Sequence, residues 1–183
     1  MRSPFLGTFP SRYHYPVAGR YAHPVGKKVR RGLLAAGAVG LGWALIRRSG
    51  AFRVEVAGDS MRPTLEPGQF LVASRPGRLH RGDVVVIRRP ERPIEVVKRL
   101  VGVPGDRVEA EGGRISVNGA EVWEPYASGV GPSGSWDLGP DQYVVLGDNR
   151  DRSSDSRAFG PVDRASIVGV VRFRYWPRAG RVR

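Results

Sequence analysis

The use of basic residues in this sequence singles out one lysine. Beyond Arg48 the chain contains twenty arginines and a single lysine, Lys98. A guanidinium stays protonated in proteins, whereas a buried ammonium can lose its proton near neutral pH. Lys98 lies within an apolar run, between Val96-Val97 and Leu100-Val101, which favours burial. Lys98 is therefore a candidate general base, and the competing interpretation is one outward-facing surface lysine.

A serine follows an apolar, strand-like run earlier in the chain. The segment GDSMRPTL at 58–65 comes after FRVEV at 52–56, so Ser60 lies where a strand gives way to a turn. There a hydroxyl can project into a cleft, and neighbouring backbone N–H groups can bind an oxyanion. Serine needs a base within hydrogen-bond reach, and beyond residue 48 the one histidine is His80, in a polar turn. A Ser60–Lys98 dyad fits better, and an ordinary turn serine is the alternative.

A third segment, GDNRDRSSDSR at 147–157, follows the predicted strand at 143–146. Its density of Asp, Asn, Arg and Ser is typical of a solvated turn. Taken alone, it carries no functional assignment.

The composition excludes several classes of protein. The chain has 183 residues, which suggests one principal domain of about 130 residues with an appended segment. It has no cysteine, so a disulfide framework, a thiolate zinc site and a cysteine nucleophile are all excluded. The net charge of +13 is concentrated near the N-terminus, where residues 1–48 hold nine of the 30 bases and no acid. This distribution argues against a nucleic-acid-binding domain.

The N-terminal region predicts a membrane anchor. Basic residues precede an apolar run at 32–46, and Arg47 and Arg48 close it. Fifteen helical residues span about 22 Å, short of the roughly 30 Å hydrocarbon core, so crossing requires snorkelling arginines or local thinning. We predict a disordered cytoplasmic tail (1–26), an uncleaved single-pass signal anchor (27–48) and an extracytoplasmic catalytic domain (49–183). A cleaved signal peptide and a soluble core helix are the alternatives.

After the anchor the pattern changes to short β-rich runs separated by Gly and Pro. This pattern predicts a mainly β domain, a folded antiparallel sheet or barrel-like arrangement, preceded by one N-terminal transmembrane helix. The weakly patterned stretch at 124–140 is interpreted as a surface excursion. The predicted strands lie at 52–56, 69–74, 83–88, 94–103, 107–110, 114–119, 142–147 and 167–176.

Four segments together resemble the motifs of the type I signal peptidase family, a group of Ser-Lys serine proteases. SMRPTL at 60–65 resembles the nucleophile box, and RGDVVV at 81–86 resembles the strand that follows it. VKRLVGVPGD at 97–106 resembles the lysine box, and 147–157 resembles the last box. Each motif alone is moderately specific, but all four occur in the family's order behind a candidate anchor. The resemblance covers roughly residues 30–176.

The resemblance implies roles for residues of the last box. Ser153 would orient the Lys98 amine, Asp155 and Arg157 would form a supporting ion pair, and Asp148 would brace the site. Such contacts hold a catalytic rotamer in place.

The resemblance also implies the substrate, an exported preprotein cut after an Ala-X-Ala-like sequence. An extended substrate could add as a strand beside 54–58 and 94–98. The enzyme would act as a serine endopeptidase without metal or cofactor. It would contact membrane lipid and bind no nucleic acid, and we expect a monomer. The expected pocket residues are Met61, Leu65, Val96 and Val97.

Two departures from the family pattern qualify these expectations. Some members carry a serine two residues before the nucleophile whose hydroxyl helps to bind the oxyanion, but this chain has Gly58 there. The oxyanion hole would then depend on backbone N–H, chiefly that of Ser60. The interval between the lysine box and the last box is also short, so the large accessory β-domain of the biggest members is absent.

Three alternative functions stay open at this point. One is a maturation peptidase with a single client, such as the related enzymes that trim a nickel superoxide dismutase precursor or act in the mitochondrial inner membrane. A second is a LexA-like self-cleaving regulator, which would need a helix-turn-helix where this chain has an apolar run. A third is a membrane-tethered β-domain without catalytic activity.

Overall fold

The computed structural model describes residues 50–89 and 94–182. These residues form eleven β-strands and one short α-helix, α1 (Ser156–Phe159). No helix in this part of the chain has the length and apolarity to cross a membrane. The predicted tail (1–26) and anchor (27–48) lie outside the described residues. The strands are β1 (Phe52–Glu55), β2 (Phe70–Ser74), β3 (Val84–Arg88), β4 (Glu95–Gly102), β5 (Arg107–Glu111), β6 (Arg114–Val117), β7 (Ala120–Glu121), β8 (Gly134–Asp137), β9 (Gln142–Leu146), β10 (Val162–Asp163) and β11 (Ile167–Trp176).

The strands form two sheets in which every pairing is antiparallel. The larger sheet has the order β1-β2-β11-β3-β4-β9-β10, and the smaller has the order β7-β6-β5-β8. In the larger sheet β11 lies between β2 and β3. The last strand therefore inserts between two strands that are consecutive in sequence. β1 and β10 are its edge strands. The predicted mainly β, antiparallel fold is thus confirmed.

Three hydrophobic clusters hold the sheets together. One lies under the N-terminal strands and includes Met61 and Leu65, and a second lies around Val85 and Leu100. The third joins β4 and β9 to the smaller sheet. Gly102 lies at this junction, because a Cβ at that position would come within 2.6 Å of a Val108 methyl group. A glycine therefore lets the two sheets approach closely.

The predicted strands agree with the observed ones wherever the runs are apolar. The run at 167–176 coincides with β11, and the other seven runs each overlap a strand whose bounds differ by one or two residues. The interpretation of 124–140 as a surface excursion was incomplete. Gly134–Asp137 forms β8 and pairs with β5, in a register that places Trp136 opposite Val108. Glycine and serine hid this strand, since they weaken the β pattern.

Candidate active site

The nucleophile candidate lies in a tight turn that follows the edge strand β1. Val56 continues the pairing of β1 with the segment before β2, since its N–H donates to Gln69 O at 2.9 Å. The backbone then folds back twice, through Arg62 N–H to Asp59 O (3.1 Å) and Leu65 N–H to Met61 O (2.8 Å). These short-range bonds leave Ser60 at the start of the turn, where the sequence places it.

The lysine reaches this turn from the middle of the sheet. Lys98 lies in β4 opposite Val85 of β3, and the residue is only 3% exposed. Its Nζ lies 2.6 Å from Ser60 Oγ, within hydrogen-bond distance. The two groups that base usage and the turn motif singled out, 38 residues apart in sequence, therefore meet in space.

The surroundings of Lys98 favour its neutral form. Burial is the main cause, and it lowers the pKa of the amine to about 8 from the usual 10.5. Asp155 and Asp148 oppose this shift by their negative charge, while Arg89 and Arg157 add to it. Because the two carboxylates are offset by two guanidinium groups, desolvation decides the direction. The amine therefore loses its proton at a much lower pH than an ordinary lysine does.

Asp148 is held in a buried ion pair with Arg99, the residue after the lysine. Arg99 Nε lies 2.8 Å from Asp148 Oδ1 and Nη2 lies 2.7 Å from Oδ2, a bidentate arrangement. Thr64 Oγ1 donates to the same carboxylate, and Arg99 Nη1 also donates to Gly82 O at 3.0 Å. The turn that carries Ser60, the lysine strand and the last box therefore meet at one carboxylate.

Asp155 forms the second buried pair, with Arg157. Arg157 Nε and Nη2 each lie 2.8 Å from an oxygen of the carboxylate, and Gly147 N–H donates to it at 2.9 Å. Burial alone would raise the pKa of Asp155, but the hydrogen bonds from Arg157 and Gly147, together with the nearby Ser153 hydroxyl, outweigh burial, so that the pKa is lowered. Asp155 stays charged, and its negative charge faces Lys98.

Ser153 is buried at its hydroxyl. Its Oγ is inaccessible to solvent and helps to lower the pKa of Asp155, but it makes no full hydrogen bond with any group in the described ranges. It also packs on Gly147, where an added Cβ would collide with both Ser153 Oγ and the Ser60 carbonyl oxygen. Ser154 is different, because it is exposed and contacts Arg89 Nη1 at 3.4 Å.

Asn149 fixes the backbone of the nucleophile, a role that the sequence reasoning did not assign. Its N–H donates to Ser60 O at 3.0 Å, and its side-chain amide donates to Asp59 O at 3.3 Å. Asn149 lies inside the GDNR motif, so the motif marked the position without giving its role. Thr64 and Arg99 were missed in the same way, although both lie within quoted boxes.

Two further residues, Glu124 and Tyr126, were missed because they lie in the weakly patterned stretch. Tyr126 Oη donates to Glu124 Oε1 at 2.8 Å, and the other carboxylate oxygen lies 2.8 Å from Arg150 Nη2. Arg150 Nε also donates to Gly147 O at 3.0 Å. The side chains of the Arg150–Glu124 ion pair are almost entirely buried, with 1% of Arg150 and 6% of Glu124 exposed. The stretch therefore contributes part of the support beneath the last box.

A small cavity of about 120 Å³ opens beside Ser60. Of the four residues expected in the pocket, Met61, Val96 and Val97 line this cavity. Leu65 is fully buried and belongs to the same hydrophobic cluster as Met61 and Val97. The other lining residues are Glu55, Val56, Ala57, Gly58, Ser60 and Glu95, which come from the end of β1, the turn and the start of β4.

The partner of the serine determines the class of protein. Ser60 Oγ is paired with an amine and not with an imidazole, and this is the arrangement that a serine hydrolase with a lysine base requires. Comparison with known families is more specific. Residues 29–176 match the family described as "Signal peptidase, peptidase S26", and the chain belongs to this family.

Individual relatives carry the same description. A signal peptidase I from Bacillus licheniformis is 38% identical over 139 residues, which cover 67% of this chain and 75% of that protein. A signal peptidase IB from Staphylococcus aureus strain COL is 38% identical over 153 residues, covering 67% of this chain and 76% of that protein. The crystal structure of a signal peptidase I from Enterococcus faecalis V583 is 31% identical and covers 51% of this chain and 97% of that one, with a TM-score of 0.47.

Proposed function

We propose that this protein is a signal peptidase, a serine endopeptidase that removes signal peptides from exported preproteins with Ser60 as nucleophile and Lys98 as general base. The observation that carries the proposal is the 2.6 Å contact between Ser60 Oγ and a buried amine. Membership of the signal peptidase family supports the reaction type. The arrangement provides a nucleophile and a base in the same small cleft, as covalent acyl transfer requires.

The chemistry proceeds in two halves. Neutral Lys98 takes the proton of Ser60 as Oγ attacks the scissile carbonyl, and the resulting ammonium gives that proton to the leaving amine when the peptide bond breaks. An acyl-enzyme ester is left on Ser60. The same amine, now neutral again, takes a proton from water, which attacks the ester and releases the second product and the serine hydroxyl.

The oxyanion of each tetrahedral intermediate needs donors. Gly58 offers no hydroxyl, so the proposal assigns this role to backbone N–H groups of the turn, chiefly that of Ser60. Asn149 supports the assignment, since it holds the carbonyl groups on both sides of that N–H in place. A rigid turn keeps the donor aimed at the developing charge.

The supporting residues act through charge and orientation. Asp148 and Asp155 carry negative charge near Lys98, and Arg99 and Arg157 neutralise them through short bidentate contacts. We assign Ser153 the orientation of the Lys98 amine. Its buried hydroxyl makes no full hydrogen bond with any of the described groups, and the proposal assigns it to the amine.

The substrate is proposed to bind as an added strand. β1 is an edge strand, and edge strands present unpaired backbone groups to an extended peptide. The cavity beside Ser60 is small and partly apolar, which suits small side chains such as those of an Ala-X-Ala cleavage site. Alternate residues of an added strand point to the same face, so the side chains at the first and third positions before the cleaved bond would both point toward this cavity.

The location is proposed from the sequence of the N-terminal region. Residues 27–48 would anchor the chain in the membrane, with residues 1–26 in the cytoplasm and the β domain outside. Preproteins emerge at this surface, so an anchored protease would meet its substrates there.

The first prediction tests the dyad. Ser60→Ala and Lys98→Arg should each abolish cleavage of a preprotein while the β domain stays folded, because one removes the nucleophile and the other the deprotonatable group. Cleavage is measured by gel shift of the mature product, and folding by far-UV circular dichroism. Substantial turnover by Lys98→Arg would rule out the lysine as base, since arginine keeps the charge but cannot accept a proton.

The second prediction concerns pH. A pKa of about 8 for Lys98 means that kcat/KM should rise with pH through a midpoint near 8 and then level off, because only the neutral amine is active. At pH 6 the value should be about a hundredfold below the plateau. Initial rates on a soluble preprotein peptide, from pH 6 to 10, measure the profile. A flat profile, or a midpoint near 10.5, would contradict a buried lysine base.

The third prediction compares adjacent serines. Ser153→Ala should lower kcat by about 10- to 1000-fold if its hydroxyl orients the amine. Ser154→Ala should leave kcat within about twofold, since Ser154 is exposed and its hydroxyl accepts a long hydrogen bond from Arg89. Both substitutions remove one hydroxyl from the same segment, so steady-state kinetics of the pair control for its polarity. Small effects at both positions would show that the segment is only a structural turn.

The fourth prediction tests the anchor. The protein should resist extraction by high salt and alkaline carbonate but dissolve in detergent, because apolar contact and not the basic tail would hold it. In sealed vesicles of known orientation, protease on the extracytoplasmic side should cut beyond residue 49 and spare the tail. Release by salt alone, or the reverse cleavage pattern, would overturn the proposed topology.

A further inference from the structure

The stretch from 124 to 131 clamps the loop that carries Asp148. Ser128 N–H donates to Asp148 O at 2.8 Å, and Arg150 N–H donates back to Ser128 O at 2.7 Å. Val130 N–H donates to the Asp151 carboxylate at 2.9 Å. Two backbone segments far apart in sequence thus pair like short parallel strands. The position of the last box therefore depends on a part of the chain that has no catalytic motif.

Within this clamp, Tyr126 reaches the arginine that holds Asp148. The Arg99 guanidinium carbon lies 3.8 Å from the centre of the Tyr126 ring, a close cation–π contact. The ring itself is fixed at its other end, because its hydroxyl donates to Glu124, which is paired with the buried Arg150. Burial and Glu124 raise the pKa of Tyr126 far above its usual range, so the phenol stays neutral.

This contact matters because the Arg99–Asp148 pair is directional. A guanidinium binds a carboxylate through two N–H groups only when the two planes are aligned, and an aromatic ring on one face restricts rotation out of that plane. The ring also covers a face of the guanidinium that water could otherwise reach. Both effects keep Asp148 neutralised by its own arginine.

We propose that Tyr126 is a positioning residue for the reaction: by stacking on Arg99 it keeps the Arg99–Asp148 pair aligned and dry, and so fixes the charges around the general base. This inference rests on the proposed function, since it assigns Lys98 the role of base. Tyr126 touches neither Ser60 nor the cavity beside it among the contacts of the described residues. The proposal assigns its effect on Lys98 to the ring contact with Arg99.

The direction of the effect follows from the groups that face Lys98. In the last box these are Asp148, Asp155 and Arg157, and directly after β3 there is Arg89. Asp148 raises the pKa of the amine, and a loosened pair would expose Lys98 to more of that negative charge. Water entering the space left by the ring would also weaken the desolvation that lowers this pKa. The two changes have the same sign, so loss of the ring should favour the protonated, inactive amine.

The test compares Tyr126 with an aromatic residue three positions earlier in the chain. Tyr126→Leu removes the ring from Arg99, whereas Trp123→Leu removes a ring that is 84% exposed. With a preprotein peptide as substrate, the midpoint of kcat/KM against pH should move up by about 0.5 to 1 unit for Tyr126→Leu and stay unchanged for Trp123→Leu. At pH 7 this shift corresponds to a loss of about 3- to 10-fold. A lower plateau with an unmoved midpoint would overturn the proposal, because it would indicate a structural role only.

A second variant separates the ring from the hydroxyl and guards against misfolding. Tyr126→Phe keeps the ring over Arg99 and loses only the bond to Glu124, so its midpoint should stay within about 0.2 units of the wild-type value. This expectation holds even if Tyr126→Leu fails to fold. A shift of Tyr126→Phe as large as that expected for the leucine variant would also overturn the proposal, since the ring would then not be the active element.

The failure of this inference can be distinguished from the failure of the proposed function. Ser60→Ala is assayed in parallel. If that variant cleaves normally, the dyad is wrong whatever the tyrosine variants do. If Ser60→Ala is inactive and Tyr126→Leu retains the wild-type midpoint, the dyad stands and only the role of Tyr126 is refuted.

Discussion

The burial of a lysine amine beside a serine hydroxyl is the constraint on which the rest of the structure depends. An ammonium in an apolar setting is costly, and the amine of Lys98 responds by a lowered pKa. A carboxylate bound directly to this amine would cancel the effect by stabilising its charge. In the part of the chain that the structure describes, Asp148 and Asp155 are instead each bound to a separate arginine. Arginine suits this task because it cannot give up its proton.

The pairing of Asp148 and Asp155 with arginines, and not with Lys98, requires particular segments of the chain to come together. The partner of Asp148 comes from β4, directly after the lysine, and the partner of Asp155 comes from the short helix that Asp155 itself caps. These pairs require the last box to be folded tightly against both the lysine strand and the nucleophile turn. Asn149 makes the final connection, since it bonds to the turn through its backbone and its side chain. The polar loop is thus a buried connector between strands.

This connectivity explains what the sequence could and could not predict. Ser60 and Lys98 could be identified from their side-chain chemistry, because few residue types can serve as nucleophile and base. The apolar runs predicted nearly every long strand. The loop at 147–157 was harder, since a buried ion-pair network and a solvated turn have the same composition. Glu124 and Tyr126 were out of reach, because their partners are distant in sequence and their stretch has no period. Short-range patterns report burial of apolar residues, whereas paired polar residues become visible only when the partners are brought together.

Gly147 limits how far this site can vary. The space above its Cα is already filled by the carbonyl oxygen of the nucleophile and by the hydroxyl and Cβ of Ser153. Even a methyl group at this position would displace one of these groups, so no side chain is neutral there. Shrinking Ser153 to glycine would not make enough room, because the added Cβ would still lie 2.5 Å from the Ser60 carbonyl oxygen. Position 147 therefore has to stay glycine for as long as the backbone of the nucleophile turn keeps its place.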